Sequence, residues 1–100
     1  MPSRIVWTTP AFADLKAAHD FIRRRDPQAA RQFAANVRTS VALLRDHPEL
    51  GRVHEELPPI GMYRALVVAP YLVVYRLAAN ATVVILRLWD GRQSPDALKI

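Results

Sequence analysis

A chain of 100 residues has room for one domain with one core and little stability to spare. Apolar residues make up 51% of it, too many for intrinsic disorder, and the absence of cysteine excludes disulfides and thiolate metal sites. The net charge is +5, and all of its fourteen cations except Lys16 and Lys99 are arginine. An acidic protein and a nucleic acid are therefore both admissible partners, and so is a basic surface that is merely solvated.

No apolar run approaches the roughly 18 to 20 residues needed to span a bilayer. Met1 to Ile5 leads directly into a strand-like segment without the longer apolar stretch of a secretion signal. A cytoplasmic location, with no membrane partner, is the expectation.

In chain order, Arg4 to Thr8 is a short β-prone run. Thr9 then offers an N-cap hydroxyl and Pro10 suits the first helical position. Phe12, Leu15, Ala18, His19 and Ile22 recur at three- and four-residue spacing, so Pro10 to about Arg25 reads as an amphipathic helix. Arg23, Arg24 and Arg25 close it, where cations complement the helix dipole, which accounts for the run without invoking nucleic acid.

Asp26-Pro27 repeats the cap-and-proline signal and predicts a second helix at once, hence a tight helical hairpin. Its apolar stripe is Ala30, Phe33, Ala34, Val37, Val41 and Leu44, and His47-Pro48 ends it. Glu49 to Gly61 reads as a loop. Beyond it the period changes, and Tyr63 to Val68, Tyr71 to Leu77 and Thr82 to Trp89 read as strands turning at Ala69-Pro70 and near Ala79-Asn80. Asp90 to Ile100 has no clear period. The fold class that follows is α+β in a single domain over residues 1–100. It comprises an N-terminal strand, a helical hairpin and a three-stranded antiparallel meander in one sheet, with the first strand at its edge or centre.

Turn length fixes which side chains share a face. A two-residue turn at Ala69-Pro70 pairs Val68 with Tyr71 and Tyr63 with Arg76. A two- or four-residue turn near Asn80 pairs Arg76 with Val83. The face expected on the helices then carries Leu66, Val68, Tyr71, Val73, Tyr75, Leu77, Val84, Leu86 and Leu88, with Arg64 towards one end. The other face carries Tyr63, Ala65, Val67, Leu72, Val74, Arg76, Val83, Ile85, Arg87 and Trp89. A sheet covered on one side only should be polar on the other. This one is apolar and dotted with Arg, Tyr and Trp, the composition of an interface. Alternatively, the C-terminal tail or a second copy covers it, and a three-residue turn would swap the faces of a strand.

Catalytic chemistry is harder to find. His19, His47 and His54 lack metal-site spacing, Glu55-Glu56 look like solvated loop charge, and no Gly-rich phosphate loop or GxSxG element is present. Ser3, Ser40 and Ser94 have no adjacent His/Asp context. Neither a cofactor nor a metal is expected.

Four segments together resemble the ParE/RelE toxin family in order and spacing. They are IVWTTPAFADLKAAHDFI at the start, PELGR after the second helix, YLVVYRL, and the closing ILRLWDGRQSPDAL. The resemblance covers nearly the whole chain, and the C-terminal strand followed by Trp-Asp-Gly-Arg is its most specific part. It implies a cognate antitoxin, of ribbon-helix-helix type, that wraps and neutralises the toxin. It also implies one of two targets, DNA gyrase for ParE-like members or mRNA on the ribosome for RelE-like ones.

RelE-type nucleases carry lysines on the first meander strand, an arginine on the second, and a late arginine followed by tyrosine or histidine. Here Tyr63 and Ala65 flank the lysine positions, Leu72 stands at the second-strand arginine, and Leu98 at the late tyrosine. Asp90 precedes Gly91-Arg92 where relatives often have histidine, so only Arg92 matches. One arginine cannot both stabilise a phosphoryl transition state and move a proton. The resemblance therefore favours a non-catalytic gyrase inhibitor over a ribosome-dependent mRNA nuclease, which stays as the alternative together with an inactive member that only binds its antitoxin. Its antitoxin is expected on Tyr63, Leu72, Val74, Arg76, Ile85, Arg87 and Trp89, and Arg64 and Arg92 are candidate target or phosphate contacts.

Overall fold

The structure is a computed structural model that describes residues 3–93 and 97–100. Met1, Pro2 and the Ser94-Pro95-Asp96 part of the closing motif lie outside the described residues. The elements run β1 (Arg4–Trp7), α1 (Thr9–Arg23), α2 (Pro27–Ala42), a 3-10 turn (Leu43–Arg45), β2 (Arg52–Val53), β3 (Tyr63–Val68), β4 (Tyr71–Ala78) and β5 (Thr82–Asp90). They form an α+β fold: a helical hairpin on a five-stranded mixed sheet.

Both helices begin where a short polar side chain meets a proline. For α2 the expected cap holds: Asp26 accepts from the backbone of Gln28 and Ala29, each at 3.1 Å. For α1 the cap is Thr8 rather than Thr9. The Thr8 hydroxyl accepts from Ala11 N at 3.3 Å and donates to the Ile85 carbonyl at 2.9 Å. It thus caps the helix and joins it to β5, which Thr9 cannot do.

The stripe read on α2 is the buried one, with Ala30, Phe33, Val37, Val41 and, in the following turn, Leu44 in the core. On α1 the reading needs one correction. Phe12 is 62% exposed, and Ala11 and Ala18 are the residues buried against the sheet. They lie two turns apart on one face, and their small side chains let the helix lie close.

The sheet order is β1-β5-β4-β3-β2. The first strand lies at an edge, parallel to β5. The two-residue strand β2 forms the other edge, inside what reads in sequence as a loop. Between β3 and β4 the register is as expected, with Val68 opposite Tyr71 and Tyr63 opposite Arg76.

Between β4 and β5 it is not. Three residues, Ala79, Asn80 and Ala81, make the turn, so Ala78 faces Thr82 and Leu77 faces Val83. Val83 and Ile85 therefore point to the helices, where both are fully buried, and not to the opposite face. Val84, opposite Arg76, is on the helix-free face. A bulge then restores the alternation: Tyr75 faces Ile85 while its neighbour Val74 faces Arg87, so Leu86 is the extra residue. Beyond it Leu88 lies on the helix side and Arg87 and Trp89 on the other, as expected.

Candidate functional site

The helix-free face is not bare. Val74 at its centre is 0% exposed, because Leu57 from the loop after β2 and Leu98 from the C-terminal segment close over it. Tyr63, Leu72 and Trp89 surround this second small core and remain partly exposed. The chain's own tail is thus one of the covers that the sequence leaves open. Of the residues expected to meet a partner, Ile85 lies on the other side of the sheet and Val74 is sealed, so neither offers a surface in this conformation. Tyr63, Leu72, Arg76 and Trp89 are brought together as a rim around the plug. Trp89 Nε1 is buried without a hydrogen-bond partner among the described residues.

The arginines differ in what holds them. Arg87 reaches from the helix-free face over the edge of β5 to α1. There Nε and Nη2 meet the two carboxylate oxygens of Asp14 at 2.6 and 3.2 Å. Its third arm donates to the Lys99 carbonyl at 2.7 Å, and Asp14 also accepts from Leu88 N at 3.1 Å. Such a forked pair fixes geometry as well as charge. Here it ties the helix, the unpaired end of β5 and the C-terminal segment together.

Arg92 is held by its neighbour in a local turn. Asp90 accepts from Arg92 N and Nε, both at 2.9 Å, and from Nη2 at 2.8 Å. These bonds hold the Asp90 carboxyl down at about 2, against an ordinary 3.8. Arg64 donates to the carbonyls of Gly51 at 2.8 Å and Glu49 at 3.2 Å. Arg76, half-buried in mid-strand, has no hydrogen-bond or carboxylate partner among the described residues.

Arg87 and Arg92 face a cleft of about 380 Å³ between α1 and the end of β5, with Phe21, Tyr71, Trp89 and Asp14 on its walls. The Asp14 and Asp90 carboxylates in it are engaged by these two arginines, which leaves the Tyr71 hydroxyl as the further proton-transfer candidate. Burial, followed by the negative charge of Asp90, raises its pKa above the usual 10. It therefore stays protonated at neutral pH and cannot accept a proton there.

One functional-looking motif proves to be architectural. In Pro48-Glu49-Leu50-Gly51-Arg52, the buried Tyr75 hydroxyl donates to the Pro48 carbonyl at 2.8 Å and accepts from Gly51 N at 2.9 Å. A Cβ at position 51 would lie 2.7 Å from the Tyr75 ring and 2.9 Å from the Ala65 carbonyl. The motif is a latch that fastens the chain leaving α2 to the middle of the sheet. A tyrosine on the inward side of a strand, with a distant glycine-containing turn, was the available signal for it.

The model of the ParE toxin family, of type II toxin–antitoxin systems of the parDE kind, matches residues 5–95. The chain belongs to the ParE toxin family. It is 36% identical over 76 residues to Toxin RelE2 of Caulobacter vibrioides, covering 76% of this chain and 82% of that protein. Two toxin–antitoxin structures are among the solved structures that share its fold. The chromosomal ParDE system from P. aeruginosa has a TM-score of 0.71 at 22% identity, covering 88% of this chain and 95% of that one. The RelBE2 toxin–antitoxin complex from Mycobacterium tuberculosis has a TM-score of 0.61 at 24% identity, covering 90% and 99%. The match starts at Ile5 and so takes in most of β1, all of the hairpin and the whole of the bulged strand β5. Among the described residues of this ParE family member, no helix is long and apolar enough to cross a membrane.

Proposed function

We propose that this chain is the toxin of a type II toxin–antitoxin pair, acting as one domain over residues 1–100, that inhibits DNA gyrase by a non-catalytic contact. A cognate antitoxin, with a ribbon-helix-helix DNA-binding half, holds it inactive in the cytoplasm. Family membership supports the toxin role, and the ParE branch supports the gyrase target.

The observation that carries the non-catalytic reading is the occupation of the cleft arginines. Arg87 is claimed by Asp14 and Arg92 by Asp90, while Tyr71 is held in its protonated form. A phosphoryl-transfer site needs cations free to meet developing charge and a base within reach of a hydroxyl proton. The antitoxin surface is the rim of Tyr63, Leu72, Arg76 and Trp89. Its contact with Arg87 requires the Asp14 pair to open, and with Val74 requires Leu57 or Leu98 to move.

Purified chain added to supercoiling and cleavage assays is expected to inhibit gyrase, and the polypeptide encoded in the adjoining reading frame is expected to relieve the inhibition. Arg76→Glu should weaken that polypeptide's binding by about 2 kcal/mol or more, because an antitoxin carboxylate would lose its partner. Gyrase left fully active at micromolar chain would defeat the reading.

A second reading is favoured by the name of the relative RelE2: an endoribonuclease acting on mRNA in the ribosome, with Arg64, Arg76, Arg87 and Arg92 as phosphate contacts. It predicts codon-positioned cuts in primer extension after induction. Growth that continues on induction, with antitoxin binding retained, would instead mark an inactive family member.

A further inference from the structure

The outer edge of β1 is an unfilled strand position, and it lies apart from the rim just described. β1 pairs with β5 on one side only. Arg4 N donates to the Ala81 carbonyl at 2.9 Å and Thr8 N to the Ile85 carbonyl at 3.0 Å. Alternation along the strand therefore turns the amide and carbonyl groups of Ile5 and Trp7 outward. Ser3 N, the first of that outward series, is already paired, donating to the Arg45 carbonyl at 2.6 Å. The 3-10 turn thus begins a new line of pairing along β1, and among the described residues nothing continues it past Ser3.

Beside this edge, between β1 and the C-terminal half of α2, runs a groove of about 280 Å³. Its walls are Ile5, Trp7, Val41 and Ala42, and at its rim stand Arg38 and Arg45. These two arginines are exposed, seven residues apart, and neither lies within ion-pair distance of a carboxylate among the described residues. No acidic residue lines the groove. An edge strand left this open is normally blunted or covered, because its unpaired groups are a template for another chain.

We propose that the β1 edge takes an extended, acidic segment of a partner polypeptide. The segment pairs its backbone with Ile5 and Trp7, seats alternate apolar side chains in the groove, and sets carboxylates against Arg38 and Arg45. Backbone pairing provides affinity in this mode of recognition, and the pocket and its charge provide selection. An RNA strand would meet the same arginines, but it has no alternating donors and acceptors at strand spacing to satisfy the two exposed peptide groups. A helix satisfies its own backbone and would leave them unpaired. The inference does not rest on the gyrase reading and concerns a surface that the rim residues do not touch.

The probe is a capped octapeptide of alternating Glu and Val, added to the full chain and followed by calorimetry and amide hydrogen exchange. Binding with slowed exchange at Ile5 and Trp7 is expected. The double variant Arg38→Glu, Arg45→Glu, its fold checked by circular dichroism, should bind about tenfold more weakly or worse. A peptide N-methylated at every second residue, on the side that would pair with β1, should not bind, a control that needs no variant of the protein. The proposal is overturned by any of several results. These are no binding at millimolar peptide, equal binding of the N-methylated or a Lys-Val peptide, protection elsewhere than β1, or tighter protection of the same edge by an oligouridylate.

Discussion

Gly51 sits where the Tyr75 ring and the Ala65 carbonyl leave no room for a methyl group. Gly51→Ala must push the tyrosine or the strand aside and lengthen the two hydrogen bonds of its hydroxyl. A loss of about 1 to 3 kcal/mol is expected from crowding of this kind, read as a lower thermal midpoint. An unchanged midpoint would mean that the latch yields freely. A second prediction at this scale concerns Asp90, whose carboxyl is held at about 2 by Arg92. A depressed carboxylate stabilises the fold fully above its unfolded value, near 3.8, and that contribution fades as the pH falls through about 2. Carboxyl-carbon NMR should follow Asp90 titrating near 2, and Arg92→Ala should return it towards 3.8. A midpoint that does not move in Arg92→Ala would remove Arg92 as the cause.

At the scale of elements, the β4–β5 hairpin decides what the sheet shows to each side. Asn80 and Ala81 both have positive φ, 62° and 54°. Asparagine tolerates that region and alanine does not, since its Cβ crowds the following carbonyl. Ala81→Gly should therefore stabilise the chain by about 0.5 to 1 kcal/mol after the extra freedom of the unfolded glycine is set against it. Chemical denaturation would measure the gain, and a loss would show that the turn holds Ala81 without strain. This hairpin also marks the limit of what sequence patterning reveals. The helices were legible because Asp26-Pro27 and the apolar spacing of α2 act locally, and the β3–β4 register because Ala69-Pro70 allows a short turn. Val83 and Ile85 were misplaced because a three-residue turn shifts alternation by one until the bulge at Leu86 restores it, and successive apolar residues in β5 give no polar side to mark the shift. β2 was invisible because two residues carry no period. Within the candidate site, Tyr63 and Leu72 could be assigned to their face from alternation, whereas Arg87 and Trp89 fall on theirs only because the turn and the bulge cancel. The Asp14–Arg87 fork could not, since it joins residues 73 apart around a strand edge.

Over the whole molecule, the sheet has a core on each side, and they are unequal. The helix side buries Tyr75, Val37, Leu44, Val73, Val83 and Ile85 completely. Among the described residues, the other side closes over Val74 with only Leu57 and Leu98, one from a proline-rich loop and one from the C-terminal segment. A cover held by so few contacts is at the low-stability end of a fold and opens before the helix side does. Its anchor besides Leu98 is the hydrogen bond from Arg87 to the Lys99 carbonyl, so the Asp14–Arg87 fork, the C-terminal segment and the small core should respond together. Leu98→Ala removes most of a buried side chain at a site whose neighbours can collapse only partly. About 2 to 3 kcal/mol of stability should go, the lower part of the range for core leucines because so small a cluster can adjust around the gap. In a Trp7→Phe background, where Trp89 is the only indole, its emission should shift to the red as water reaches the helix-free face. Amide exchange should quicken around Val74 and not around Ile85, which the helices cover independently. If Ile85 exchanged faster as well, the two cores would be one cooperative unit, and the helix-free face could not be uncovered without unfolding the chain.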